Sequence, residues 1–294
     1  MCLLINPVQC GRGRYLMPVE PEPLKRLAIS VEYDGTRYRG WQAQKHDTQV
    51  VQTVLEHALS RIADTPTQVV CSGRTDAGVH AASQVCHFET EADRPSYNWV
   101  MGTNTHLPDD VSVSWVRPVS PEFHARFAAQ SRQYVYVIRC VPFRSALMRH
   151  ATTDTYKELN PQAMAEAGSY LIGTHDFNAY RSAQCQAKTS TRTVMRLAVH
   201  QLDEFIAIHV EANGFLQNMV RNIAGVLMAV GAGEATPDWA HQVLVSKDRT
   251  TGGVTAPPQG LYFLGPTYDA VFDLPDTVRI PPVFKSILAT DPVS

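Results

Sequence analysis

The chain has 294 residues, 44% of them hydrophobic and 18% charged, and carries a formal net charge of −2. That composition suits a soluble globular protein of one large or two medium domains. The near-neutral balance excludes binding of nucleic acid through bulk charge, so any RNA site has to be a local patch. The longest apolar run, near residues 223–232, is broken by glycines. It falls short of the roughly 18–20 apolar residues that span a bilayer, so no membrane segment is expected.

Residues 1–24 contain four prolines and little periodicity, and they end in Pro21-Glu22-Pro23. They read as a disordered leader without the basic start of a signal peptide, and Met17 is an alternative start. The six cysteines, Cys2, Cys10, Cys71, Cys86, Cys140 and Cys185, include no C-x-x-C pair. Reduced thiols in a cytoplasmic protein are expected, and no metal site.

Leu27, Ile29, Val31 and Tyr33 alternate with Ala28, Ser30 and Glu32, the period of a half-buried strand. After Asp34-Gly35, apolar residues from Val51 to Ile62 recur at helical spacing, with Thr48 as the expected cap. A short strand, 68–71, leads into the loop Ser72-Gly73-Arg74-Thr75-Asp76-Ala77-Gly78-Val79-His80, and a strand near 84–88 follows. A second block begins near Ala128, with Tyr134, Tyr136 and Ile138 on one face of a strand and Val135 and Val137 on the other. Asn160-Pro161 opens a helix by the cap-then-proline rule. A strand at 206–210, an amphipathic helix from Leu216 to Val230 ended by Gly231 and Gly233, a helix after Thr236-Pro237 and a strand at 261–264 complete the series. Hairpin-like strand pairs beside single helices predict an α+β fold with a mainly antiparallel sheet.

There is no P-loop, no H-E-x-x-H and no G-x-S-x-G elbow, and Leu16 breaks the dinucleotide fingerprint that Gly11 and Gly13 begin. Attention therefore falls on Asp76, in a loop flanked by Gly73 and Gly78 with Arg74 two residues before it. Glycines let a backbone turn tightly and a large ligand come close. An arginine nearby would keep the carboxylate ionised, and an ionised carboxylate on a rigid turn can attack an electrophilic carbon. An ordinary Asp-Gly-rich turn has the same spacing.

The full string Gly73 to Ala81 resembles the signature of the tRNA pseudouridine synthase A family. Further motifs resemble it in order: Tyr33-Asp34-Gly35-Thr36 with Gly40-Trp41-Gln42, then Phe123-His124-Ala125-Arg126-Phe127 and Arg132-Gln133-Tyr134-Val135-Tyr136. Asn213-Gly214-Phe215-Leu216 with Met219-Val220-Arg221-Asn222, and Thr255 to Leu261, follow. The resemblance covers about residues 25–270. It implies two α/β subdomains, 25–125 and 126–270, with joined sheets and the active cleft between them; residues 271–294, outside the resemblance, are expected to be a C-terminal tail. It also implies cofactor-free isomerisation of uridine to pseudouridine in the anticodon stem-loop of tRNA, at positions 38–40, by a homodimer.

Carried onto this chain, the resemblance makes Asp76 the nucleophile, with attack at C1′ of the ribose or C6 of the ring left open. Arg221 would pair with Asp76, and Tyr134 would stack on the target base and act as acid or base near C5. Arg74 would hold the space vacated by the flipped base, while Tyr136 is expected to be core. Two basic stretches, Arg117, Arg126, Arg132, Arg139, Arg144 and Arg149, and then Arg181, Lys188, Arg192 and Arg196, fit phosphate contacts. An RNA-binding module without catalysis and a nucleoside hydrolase using Asp76 with a second carboxylate are the competing readings, and a structural protein has no positive feature.

Overall fold

The computed structural model describes residues 24–42 and 49–293. The leader up to residue 23 and the expected Thr48 cap lie outside the described residues. The first strand, β1 (Lys25–Tyr33), follows the predicted alternation: Leu27, Ile29, Val31 and Tyr33 face the main core. Helix α1 (Val51–Ala63) buries Val51, Leu55 and Leu59, and its cap position is Val50, which offers no side-chain hydrogen bond. The hairpin β2 (Val70–Cys71) and β3 (His80–Thr90) brackets the Asp76 loop. Helix α2 (Ser96–His106) and strand β4 (Val111–Pro118) complete the N-terminal half.

The C-terminal half begins with β5 (Ser131–Cys140) and β6 (Thr153–Thr155). Helix α3 (Pro161–Ser169) starts as predicted: the Asn160 side chain accepts the amides of Gln162 and Ala163, and Pro161 occupies the first turn, where no amide is needed. Strands β7 (Gly173–Asp176), β8 (Thr191–Leu202) and β9 (Phe205–Ala212) follow. Helix α4 (Met219–Gly231) begins three residues later than its apolar pattern, because Asn218 takes a left-handed conformation with φ 61° and stops the turn there. Helix α5 (Trp239–Ser246), strand β10 (Leu261–Thr267) and the short α6 (Lys285–Leu288) end the described chain.

The strands form one sheet in the order β4-β1-β3-β10-β5-β9-β8-β7, with β2 paired to β3 and β6 to β5. Every ladder is antiparallel except β10 with β3 and β6 with β5. The fold is thus the expected α+β type with a largely antiparallel sheet. Strand β10 lies in its middle and joins the halves. It pairs with β5 along its length but with β3 only at Tyr262–His80 and Phe263–Ala81. Helices α1 to α5 pack on one face, where Tyr134, Tyr136, Ile206 and Ile208 meet Leu55, Ile223 and Leu227 in one core. The opposite face carries the alternate residues. Val135, Val137, Ala207 and Leu264 are covered by Phe284 and Ile287 of the C-terminal segment. The 271–294 region is therefore packed against the sheet where it is described, and not a loose appendage.

Candidate active site

The Asp76 loop is built against the motifs that precede and follow it. The Tyr33 hydroxyl and Thr75 Oγ1 lie 2.8 Å apart, and the Trp41 amide donates to the Thr75 carbonyl at 3.1 Å. A Cβ on Gly35 would fall on the Val79 carbonyl, so only glycine lets these two backbones touch. The Gly35 amide donates to His80 Nδ1 at 3.1 Å, and His80 Nε2 lies 3.1 Å from the Gln259 carbonyl oxygen, the tautomer in which it donates there. Gly78 has φ 76°, a conformation side chains rarely adopt, with Pro258 packed 2.9 Å from where a Cβ would stand. Gly73 is in neither situation; a Cβ there would meet only the end of Phe263 at 3.7 Å.

The start of the loop is fixed from the sheet. The Ser72 hydroxyl donates to Gln84 Oε1 at 2.7 Å, and the Gln84 amide nitrogen donates to the Gly73 carbonyl. Arg132 reaches across the seam to the Ser72 carbonyl at 3.1 Å, and also donates to the carbonyls of Arg126 and Asn213. Its guanidinium is spent on backbone, so Arg132 leaves the set of expected phosphate contacts. Arg139 leaves it too, paired at 3.1 Å with Asp154, both side chains only 14% exposed. Arg192 donates to the carbonyls of Thr189 and Thr191. Arg117, Arg126, Arg144 and Arg149 remain exposed, as do Lys188 and Arg196, whereas Arg181 is half-buried.

The half-buried Asp76 faces the start of α4. Its Oδ2 accepts the Asn218 amide at 3.3 Å, at the end of the helix where free N–H groups and the macrodipole favour a negative charge. Arg221, one turn into α4, does not form the predicted direct ion pair. Its Nε donates to the Ala256 carbonyl at 2.7 Å and its Nη1 to Asn218 Oδ1 at 3.0 Å. Arg221 therefore acts on Asp76 through space and by holding Asn218. Burial is the largest influence and raises the Asp76 pKa above its ordinary 3.8, while Arg221 and the Asn218 amide oppose that rise. Arg74 is exposed, forms no hydrogen bond or ion pair among the described residues, and its charge acts on Cys71. Arg221 and the Asn218 amide are the groups that favour the ionised form of Asp76.

Tyr134 lies between Phe215, edge-on at 5.0 Å, and Phe263 at 4.9 Å, with only 7% of its surface exposed. Burial, and then the Asp76 charge, hold its hydroxyl well above the usual phenol range. The structure thus brings Asp76, Arg221 and Tyr134 together at the seam, and leaves Arg74 at the rim. Tyr136 is core, as expected, with its hydroxyl donating to the Pro257 carbonyl at 2.9 Å. Asn218 escaped the sequence reading, although an asparagine just before an apolar helix is a recognisable cap signal. Cavities of about 470 Å³, lined by Arg144, Arg149 and Gln259, and about 700 Å³, lined by Met228 and Trp239, have walls that do not include Asp76. Among the described residues no cluster of three or more His, Cys, Asp or Glu side chains is arranged to hold a metal, and no helix is long and apolar enough to cross a membrane.

One largely antiparallel sheet is thus joined at a central strand and carries a half-buried aspartate at the join. The family described as tRNA pseudouridine synthase matches residues 29–128 and 167–269. A protein named tRNA pseudouridine synthase A from Pseudoalteromonas atlantica is 48% identical over 259 residues, which cover 88% of this chain and 98% of the relative. Its namesake from Alcanivorax borkumensis is 50% identical, covering 86% and 95%, and that from Pseudomonas aeruginosa 47%, covering 86% and 89%. The chain belongs to the tRNA pseudouridine synthase family.

Proposed function

We propose that this protein isomerises uridine to pseudouridine in the anticodon stem-loop of tRNA, at positions 38–40, with Asp76 as nucleophile. The observation that carries the reading is the setting of Asp76, half-buried on a glycine-built loop and facing the head of α4. Arg221 is the charge that acts on it. A glycoside hydrolase needs two carboxylates, about 5 to 9.5 Å apart, because its leaving group departs and water enters. In an isomerase the detached uracil is itself the incoming nucleophile, so one suffices. The bond from C1′ to N1 breaks, the ring turns, a bond from C1′ to C5 forms, and the C5 proton is lost while N1 gains one. Asp76 attacks at C1′ or C6; either route consumes its negative charge for part of the cycle.

Tyr134 keeps its proton in the free enzyme, so it serves first as a ring against the base and as a donor. It becomes a better base only after Asp76 is covalently engaged, when the carboxylate charge that raises it is gone. Arg221 and Asn218 hold Asp76 ionised and aimed. Arg74 occupies the space left by the extruded uridine, the protein works as a homodimer in the cytoplasm, and no cofactor takes part. The test is incubation with unmodified tRNA and mapping of the product. Pseudouridine at 38–40, with no free uracil, supports the reading. Free uracil would favour the hydrolase, and binding without either product the RNA-binding module.

A further inference from the structure

The turn after β4 carries an aromatic surface that the reaction does not use. Phe127 is 77% exposed, far more than an aromatic ring kept for packing. One side of its ring lies on His124, with centroids 4.2 Å apart and planes at 28°. The Arg126 guanidinium stands 5.8 Å from the same ring. The arrangement is held from below. His124 Nδ1 accepts the amides of Arg126 and Phe127 at 3.2 Å each, and its ring packs on His87 at 4.8 Å. His87 in turn accepts the Ala125 amide at 3.1 Å, and Phe123 and Ala125 are buried anchors. Burial pushes both imidazoles down, His87 to about 4, so the support under Phe127 is uncharged near neutral pH. With most of its surface exposed, the Phe127 ring stays accessible beside these two neighbours.

This turn borders the Asp76 loop. Arg132 donates to the carbonyls of both Ser72 and Arg126, clamping the two segments side by side. Arg126 at one end of this clamp and Arg74, two residues beyond Ser72 at the other, are both exposed. An exposed ring mounted beside free arginines is what a single-stranded nucleic acid recognises. Bases of any sequence stack on it, and the cations meet the backbone. Extruding a uridine also leaves its neighbours with an unstacked face, which a waiting ring can cover.

We infer that the His124–Phe127 turn is a nucleobase-stacking site, which takes a base of the RNA next to the extruded uridine. The inference rests on the tRNA reading above, and deepens it by adding a second point of contact with the substrate.

The test compares Phe127→Ala, Phe127→Leu and Phe127→Trp with the unaltered protein, using an unmodified anticodon stem-loop RNA. Phe127→Ala weakens equilibrium binding roughly 5- to 100-fold, Phe127→Leu recovers little, and Phe127→Trp binds within about threefold of the original. The added tryptophan is quenched on titration with RNA, beyond the change of the unaltered protein. Melting temperatures stay level, because the ring is exposed. Unchanged affinity in Phe127→Ala, or full recovery by leucine, would overturn the site. Light scattering that finds Phe127→Ala monomeric, with unaltered RNA affinity per subunit, would also overturn it and make the ring a contact between copies. Pseudouridine formation by the unaltered protein tests the tRNA reading, while the alanine-against-tryptophan difference in affinity tests the stacking site, so each can fail without the other.

Discussion

On the N-terminal side of the seam, the Asp76 loop is held by shape: Gly35 touches the Val79 backbone, and Gly40 the backbone of Thr75 and Asp76. On the C-terminal side the same aspartate meets charge and dipole, from the Asn218 amide at the head of α4 and from Arg221 behind it. The first side sets where the carboxylate stands, and the second sets whether it is ionised. Contacts of shape tolerate no added atom, whereas contacts of charge weaken by degrees. The two sides should therefore fail differently when altered.

The largest effect is expected on the side held by shape. Gly35→Ala drives a methyl into the Val79 carbonyl, and relief requires movement of the loop backbone. Overpacking of this kind costs about 1–3 kcal/mol, or more where backbone cannot yield. Thermal unfolding should show that loss, together with loss of turnover. A Gly35→Ala protein with normal melting and activity would mean that the loop is softer than its contacts imply.

The next effect probes the side held by charge. Arg221→Ala leaves the Ala256 carbonyl and the Asn218 side chain without their donor, a cost of about 1–3 kcal/mol. Turnover should fall more than RNA affinity, because Asp76 loses its opposing cation while the RNA surface is untouched. Arg221→Lys should recover little, since one ammonium cannot serve both acceptors in the guanidinium geometry. Near-normal single-turnover rates in the lysine variant would reduce Arg221 to a generic cation.

How much of this was legible in the sequence follows the same division. The N-terminal side is written in local strings. The Tyr33–Thr36, Gly40–Gln42 and Gly73–Ala81 motifs are short, and their glycines advertise the constraint. The strand alternation of β1 and the Asn160-Pro161 start of α3 were readable for the same reason. The C-terminal side depends on which groups a guanidinium reaches, and spacing carries no such information. Arg132, Arg139 and Arg74 look alike in the chain. The fold uses the first two as internal clamps and leaves the third in solvent. Helix α2 was missed because it buries only Trp99 and Thr103 and shows no apolar stripe.

Arg74 provides the smallest effect on stability and the sharpest on substrate choice. Being exposed and without a hydrogen bond or ion pair among the described residues, Arg74→Ala should change stability by no more than about 0.5 kcal/mol. If it holds the vacated space, its loss slows reaction on a paired stem more than on one mismatched at the target, where extrusion is cheap. Equal losses on both, with a salt slope reduced by about one, would instead make it a phosphate anchor.

In the proposed reaction Asp76 is a carboxylate kept ionised at some cost. Its pKa is raised in the folded protein, so the native state binds that proton more tightly than the unfolded chain does. Ionised Asp76 therefore weakens the fold at neutral pH, and the penalty fades as pH falls through the raised value toward 3.8. The decisive measurement takes the purified Asp76→Asn protein through single-turnover assay on unmodified tRNA and through thermal unfolding from neutral to acid pH. Pseudouridine formation should vanish while RNA binding persists. The variant should be at least as stable as the unaltered protein at pH 7, with the difference shrinking on acidification. Substantial pseudouridine formation by Asp76→Asn, or a loss of stability at neutral pH that shrinks as pH falls, would contradict the account.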